Sequence, residues 1–282
     1  MKIMIRAHDL GVRGEENIVK RLDEWGLDGV QLVAYKSFDG ISYSEGSLTR
    51  QRALEIGSAI RRAGKEVGLV GAYFNPVHPD EKKVEHGIKI FREYLELSSA
   101  LGAVAVGSES GSYMGDVWGY HPKNRTEEAF ERAVGVFSSL AKRAEELGAF
   151  VAIEGAFNHV FYSPEVLSAA VRRIGGRAVK VIVDLYNYLD ISNYTEAYSI
   201  LKSAHGLFGD NILLYHLKDF TVEGEGLRQC AVGKGVLDYR AILGEIYAHN
   251  KNAVLVLEGT VGDDVPAAVE YLRKIIRGIT RG

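Results

Sequence analysis

Three observations predict an α/β fold of eight parallel strands closed into a barrel. Strand-like and helix-like patterns alternate eight times from end to end, with no linker or break in composition. Several strand-like runs are short and continuously apolar, as strands buried on both faces are. The long loops follow strands rather than helices, which gathers them at one mouth. The prediction is a (β/α)8 TIM barrel, a single domain over residues 1–282, close to the usual size of about 250 residues. A doubly wound open sheet is the alternative, but no Gly-rich dinucleotide fingerprint follows the first strand.

Lys2–Arg6 reads as the first strand, closing near His8 and Asp9. Glu15–Trp25 carries Ile18, Val19, Leu22 and Trp25 at helical spacing. Gly29–Val33 is the second strand, with Gln31 inside it, and Leu48–Lys65 the next helix. Gly68–Ala72 leads into Tyr73–Asp80, whose Pro79 and Asp80 announce a helix over Glu81–Leu101. Ala103–Gly107 is the fourth strand, followed by a long loop with Glu109, Tyr113, Trp118, Tyr120 and His121. Thr126 opens a helix that Gly148 stops. The fifth strand ends at Glu154, and Ser163-Pro164 starts the helix after it. The sixth strand is followed by a helix near Thr195–Phe208. The seventh precedes a Gly-rich stretch, Gly224–Gly235, read as a turn-rich connection without P-loop spacing. A helix at Tyr239–His249, an eighth strand and a helix at Val265–Ile279 complete the pattern.

Composition narrows the function. Net charge is −3 and pI about 6.3, against a sequence-independent nucleic-acid binder. No apolar run approaches the roughly 20 residues of a membrane span. The single cysteine, Cys230, allows no internal disulfide and fits a cytoplasmic location. A homo-oligomer is allowed by the sequence and not specified by it.

The chemistry lies in four successive strand ends. V-A-I-E stops at Glu154, V-I-V-D at Asp184, L-L-Y-H at His216 and L-V-L-E at Glu258. In a closed parallel barrel all four face one mouth. Three carboxylates and one imidazole suit a divalent ion, Mn²⁺ first, with Mg²⁺, Co²⁺ or Zn²⁺ as alternatives. Salt-bridged mouth groups without metal are the alternative for any one residue; four in succession favour the metal. An ion needs a neutral His216, so binding should weaken below the pH where free histidine titrates, about 6.5. Glu154 and Glu258 would flank a bound sugar as catalytic base and acid.

The order E…D…H…E, with H-L-K-D at His216–Asp219 and G-K-G-V-L-D at Gly233–Asp238, resembles the xylose-isomerase-like barrel superfamily of sugar and sugar-phosphate isomerases and epimerases. Asn75–His78, N-P-V-H, is similar to that family's third-strand loop. The resemblance implies metal ligands Glu154, Asp184, His216 and Glu258, a catalytic pair Glu154 and Glu258, and a small sugar substrate. Two positions depart from the ketose 3-epimerases. Asn187 stands where they carry the histidine of D-x-x-H, and Val222 where they carry an arginine. The H-x-K-D and G-x-G features resemble inosose dehydratases equally, which is the alternative reading.

His159, Asn187, Lys218, Glu109, Asn75 and His8 are the candidate substrate contacts, each at or just beyond a strand end. His86, His205 and His249 fall on helices and need no function. A DNA-repair endonuclease of the same superfamily would need further histidines and a basic surface. Gln31, Asn187 and the net charge argue against it. A non-catalytic sugar-binding barrel needs no paired glutamates.

Overall fold

The computed structural model describes residues 1–281. In chain order its elements are β1 (Lys2–Arg6), α1 (Glu15–Glu24), β2 (Gly29–Leu32), α2 (Ala34–Ser37), α3 (Arg50–Arg62), β3 (Glu66–Gly71), α4 (Glu81–Leu101), β4 (Ala105–Glu109), α5 (Glu127–Leu147) and β5 (Phe150–Glu154). There follow α6 (Pro164–Ile174), β6 (Val179–Asp184), α7 (Ala197–Phe208), β7 (Ile212–Leu217), β8 (Asp219–Glu223), β9 (Gly226–Cys230), α8 (Tyr239–His249), β10 (Val254–Leu257) and α9 (Asp264–Arg281). The strands β1-β10-β7-β6-β5-β4-β3-β2 form a closed ring, and every pairing in it is parallel. This is the expected (β/α)8 barrel. Among the described residues no helix is long and apolar enough to cross a membrane.

The core divides into two layers. Inside the ring, Met4, Leu69, Ala105, Ala152, Ile182, Leu214 and Val256 are fully buried against one another. Between strands and helices lies the larger cluster, including Ile18, Ile56, Phe91, Phe137, Leu167, Leu201, Leu243 and Leu272. Each fully buried side chain of this size contributes about 1.5–3 kcal/mol. Side-chain caps at Thr49, Asp80, Thr126, Ser163 and Asp238 satisfy first-turn amides of α3, α4, α5, α6 and α8. Thr49 also explains why α3 starts at Arg50 rather than Leu48.

Two expectations change. The fourth strand lies two residues later than its apolar run suggested, because Ala105 pairs with Phe150 and Glu109 with Glu154. That shift makes Glu109 a strand end. The Gly-rich stretch is not a plain connection. Its first part forms an antiparallel hairpin with Asp219–Glu223, register Glu223↔Gly226, around the two-residue turn Gly224-Glu225. Gly224 has φ 58°, as such a turn requires. The rest wraps one carboxylate. Asp219 is fully buried and accepts backbone N–H bonds from Phe220, Gly233, Gly235 and Leu237 at 2.9–3.2 Å. Any Cβ at Gly235 would collide with Asp219 Oδ1 and Phe220 O. The G-x-G spacing is thereby a packing requirement, and it fixes the hairpin over the mouth.

Candidate metal centre and active site

Side chains alternate in direction along a strand. Each ring-interior apolar residue therefore has an inward-facing residue two positions later. Ala152 leads to Glu154, Ile182 to Asp184, Leu214 to His216 and Val256 to Glu258. The same step from Met4 gives Arg6. One ligand atom from each of the four predicted residues lies within 4.8 Å of the other three.

His216 is the hub. Its Nδ1 lies 3.0 Å from Glu258 Oε2, 3.2 Å from Glu154 Oε1 and 3.8 Å from Asp184 Oδ2. Its Nε2 lies 2.7 Å from Gln31 Oε1, and Gln31 Nε2 donates to the Tyr73 hydroxyl at 2.8 Å. Gln31 thus holds the Nε2 proton and leaves Nδ1 facing the carboxylates. Lys218 Nζ stands 2.9 Å from Glu258 Oε1 and 2.8 Å from Asp184 Oδ2. It approaches Asp184 outside the hydrogen-bonding direction, so that buried Oδ2 has no hydrogen-bond partner. Arg6 Nη1 pairs with Glu258 Oε1 at 2.8 Å. Asn187 donates to Glu154 Oε1 at 2.7 Å and accepts from Lys218 at 3.0 Å.

Charge and burial oppose each other here. Burial alone disfavours the His216 cation, but Glu154 and Glu258 outweigh it and push the ring up to about 10. Burial and the neighbouring carboxylates raise Asp184 to about 6, although Lys218 and His216 pull the other way. Glu258 lies well below the carboxylate range: burial opposes its charge, and Lys218, His216 and Arg6 prevail.

These residues fit a divalent cation. The donor set is three oxygens and one nitrogen, with the imidazole tautomer already chosen by an outer partner. Asp184 Oδ2, buried and met only by the Lys218 ammonium at 2.8 Å, has lone-pair capacity left for an ion.

The other expected contacts fall around this cluster in different ways. Glu109 and His159 line a cavity of about 260 Å³ together with Tyr73 and Trp118. His159 Nε2 is 3.9 Å from Glu109 Oε2, and the Trp118 ring covers His159 at a centroid distance of 4.4 Å. Burial lowers His159 to about 3, whereas burial, Glu154 and Glu258 raise Glu109 to about 8. Asn187 and Lys218 are inside the ligand network itself. His8 sits on the turn after β1 beside Asp9, its buried Nδ1 without a partner. Asn75 reaches the cavity wall, but its amide is committed to backbone: it donates to Ser112 O and Gly115 O and accepts from Val77 N and Ser112 N. It braces the loops after β3 and β4 together. Of the three mouth aromatics, Trp118 lines the cavity, while Tyr113 and Tyr120 lie beside the side chains of Arg132 and Arg125.

Arg6 and Tyr73 complete the cluster with Gln31, and sequence reasoning did not name Arg6 or Tyr73 as site residues. All lie at or near the ends of β1, β2 and β3, so the strand-end pattern used for the four ligands was the available signal. Gly71 makes room for Tyr73, since a Cβ there would stand 2.6 Å from the ring.

Fold and site together define a parallel α/β barrel with a buried carboxylate–imidazole cluster at the carboxyl ends of its strands. Residues 19–275 match the family described as xylose isomerase-like TIM barrel, and the chain belongs to that family. No curated protein matches it. Among solved structures, a D-tagatose 3-epimerase-like protein is similar with a TM-score of 0.77 at 17% identity, over 100% of this chain and 99% of that one. The 3-keto-D-glucoside 4-epimerase of E. coli, in its apo form, has a TM-score of 0.72 at 17% identity, over 100% of both chains. The IOLI protein, solved with a binding zinc atom, has a TM-score of 0.73 at 16% identity, over 100% of this chain and 99% of that one. At these identities the likeness is one of fold.

Proposed function

We propose that this protein is a divalent-metal-dependent isomerase or epimerase of a small sugar or sugar phosphate. The observation that carries the reading is the pair Glu154 and Glu258, from opposite sides of the cluster, 3.2 and 3.0 Å from one imidazole nitrogen. Glu154, Asp184, His216 and Glu258 would hold the ion, with Mn²⁺ as the first choice and Mg²⁺, Co²⁺ or Zn²⁺ as alternatives. When bound, the ion supplies Lewis-acid polarisation of a carbonyl. The names of the epimerase neighbours and the zinc of the IOLI structure support this reading.

The chain's own residues then divide the work. Glu258, held ionised by its cationic neighbours, would take the proton from the carbon beside the carbonyl, and Glu154, carrying a proton in that state, would return one from the opposite face in an epimerase. Asn187 fixes the carboxylate of Glu154, and Lys218 with Arg6 keeps Glu258 ionised. His159, neutral at ordinary pH, and Glu109, still carrying its proton, offer hydrogen bonds to sugar hydroxyls. Trp118 covers that side against water. His8 lies at the edge of the same mouth, and Asn75 shapes the wall.

An inosose-type dehydratase is the second reading. The buried Lys218 ammonium, beside Glu258, favours it, because a dehydratase must protonate a leaving hydroxyl. One experiment separates the two. Ketoses, sugar phosphates and inososes are incubated with the Mn²⁺-loaded protein in D₂O and followed by NMR. Deuterium beside the carbonyl, in recovered substrate or a stereoisomer, is expected, and Glu154→Gln or Glu258→Gln should each remove it. His159→Ala should leave measurable exchange. Loss of water to an unsaturated or diketo product would establish the dehydratase instead. Exchange that survives thorough chelation would overturn metal dependence.

A further inference from the structure

The four candidate ligands end or follow β10, β7, β6 and β5, which are successive strands of the ring. The remaining arc, β4, β3, β2 and β1, carries Glu109, Tyr73, Gln31 and Arg6 at or near its strand ends. A molecule that enters the mouth and reaches the ligand cluster has this second arc on its other side. Arg6 is committed to Glu258 and Asp9, and Gln31 to His216 and Tyr73. The proposed chemistry leaves Tyr73 without a task.

The hydrogen bonds around Tyr73 have a fixed direction. His216 Nε2 carries a proton both in the cation and in the tautomer that would bind an ion through Nδ1, so it donates to Gln31 Oε1 at 2.7 Å. With its oxygen turned to His216, the Gln31 amide turns its nitrogen to Tyr73 and donates to the hydroxyl at 2.8 Å. The Tyr73 oxygen is therefore an acceptor in this chain, and its own proton remains to be given. Among the described residues no acceptor receives that O–H. Burial and the charges of Glu154, Glu258 and Glu109 raise the phenol well above its ordinary range, so it stays protonated. Tyr73 is half-buried and lines the cavity of about 260 Å³ beside Glu109, Trp118 and His159.

We propose that the Tyr73 hydroxyl is a catalytic hydrogen-bond donor to the substrate oxygen that becomes negative as the carbon-bound proton leaves. The chemistry rests on the isomerase reading; the direction of the chain from His216 to Tyr73 does not. When the C–H bond breaks, the proton goes to Glu258, the electron pair forms a C=C bond and the carbonyl pair moves onto oxygen. Tyr73 O–H meets that oxygen and keeps its own proton. A donor held in place before the charge appears costs no reorganisation when it does, in a site where little water competes. Every N–H and O–H of the chain points from His216 toward the substrate, so the bonds of Gln31 and Tyr73 polarise one another in the sense that the developing charge requires.

The test uses two variants that act at opposite ends of the Gln31–Tyr73 bond. Tyr73→Phe removes the donor. Gln31→Glu keeps the Tyr73 oxygen but sets a carboxylate against it, which accepts from His216 and captures the Tyr73 proton as well. Both changes are nearly isosteric, so the fold is kept. Glycolohydroxamate, whose ionised oxygen stands in for the negative oxygen of the reacting sugar, is titrated calorimetrically into the Mn²⁺-saturated proteins. Each variant should bind it about 10–100-fold more weakly, as loss of one hydrogen bond to a charged group does. In the D₂O assay each should lower the maximal exchange rate by about 10²–10³-fold, with a smaller change in KM. Mn²⁺ affinity of Gln31→Glu should stay near the native value. Hydroxamate that binds both variants as tightly as the native protein refutes the donor, as does an undiminished exchange rate. Weakened Mn²⁺ with unchanged hydroxamate makes Tyr73 a positioning residue that acts through Gln31, and overturns the proposal. Loss in Tyr73→Phe with none in Gln31→Glu refutes the proton arrangement on which it stands. A native protein that exchanges no sugar refutes the isomerase reading, and the hydroxamate titration still decides the donor.

Discussion

Replacing Gln31 with leucine isolates the outer support of the metal centre. Gln31 is fully buried on β2, 2.7 Å from His216 Nε2 and 2.8 Å from the Tyr73 hydroxyl. Leucine has a similar volume but offers no acceptor. The His216 Nε2–H then becomes a buried donor without a partner, at a cost of about 1–3 kcal/mol. In the ion-free protein the ring escapes that cost by shedding the Nε2 proton and keeping the one on Nδ1, the atom that faces the carboxylates; binding the ion then forces the proton back to a partnerless Nε2. Outer partners of a ligating histidine are typically worth about 10–100-fold in metal affinity, which is about 1.4–2.8 kcal/mol. The two routes agree. Mn²⁺ affinity of chelator-stripped protein, titrated calorimetrically near neutral pH, should therefore weaken by about 10–100-fold in Gln31→Leu. Gln31→Glu, which restores the acceptor, should recover it. A folded Gln31→Leu protein that binds Mn²⁺ as tightly as the native one would show that Gln31 does not set the His216 tautomer.

Two further outcomes follow from the geometry. His216 is raised to about 10 in the ion-free protein, so up to that pH the ion must displace a proton. Ion affinity should rise about tenfold per pH unit from about 7 toward about 10, with Asp184 adding a second proton below about 6. A free histidine would have placed this threshold near 6.5, and the carboxylates move it upward. Titration in buffers of different ionisation enthalpy counts the proton released, and affinity that is flat from about pH 7 to 9 contradicts the argument. Gly235→Ala should destabilise the fold by about 1–3 kcal/mol in urea unfolding, because its Cβ meets an Asp219 carboxylate that four amides hold in place. An unchanged midpoint would mean that the loop gives way freely.

The barrel and the convergence of Glu154, Asp184, His216 and Glu258 were legible because each of the four ends an apolar run, and a parallel barrel sends all such ends to one place. What was not legible depends on contacts between strands far apart in sequence. Arg6 meets Glu258 only because β1 closes against β10, with Ile5 opposite Leu257. Gln31 was visible as a polar residue inside a strand, but nothing local says that it touches a histidine 185 residues later. Asn187 read as a lost histidine, whereas its amide spans Glu154 and Lys218, which needs both a donor and an acceptor. The hairpin over Asp219–Cys230 was hidden by its glycines, which resemble a loop until Phe220 and Leu227 are seen as the buried or half-buried side chains of alternating strands.

The mutual pairing at the mouth has a consequence for how the protein rests and how it is primed. By formal charge, Glu154, Asp184, Glu258 and the buried Asp9, which also pairs with Arg6, stand against Arg6, Lys218 and the protonated His216, so the knot carries one unit of negative charge. The chain can therefore fold around a nearly balanced knot, with no need of an ion as a template. A divalent ion that displaced the His216 proton would add two positive charges and remove one, which would bring the knot to neutrality within a water-poor barrel mouth where charge is weakly screened. Proton removal from carbon leaves negative charge on oxygen, and a knot that no longer repels it lowers its energy. On the proposed reading, loading the ion would be an arming step: side chains that repel the developing charge at rest would cease to do so.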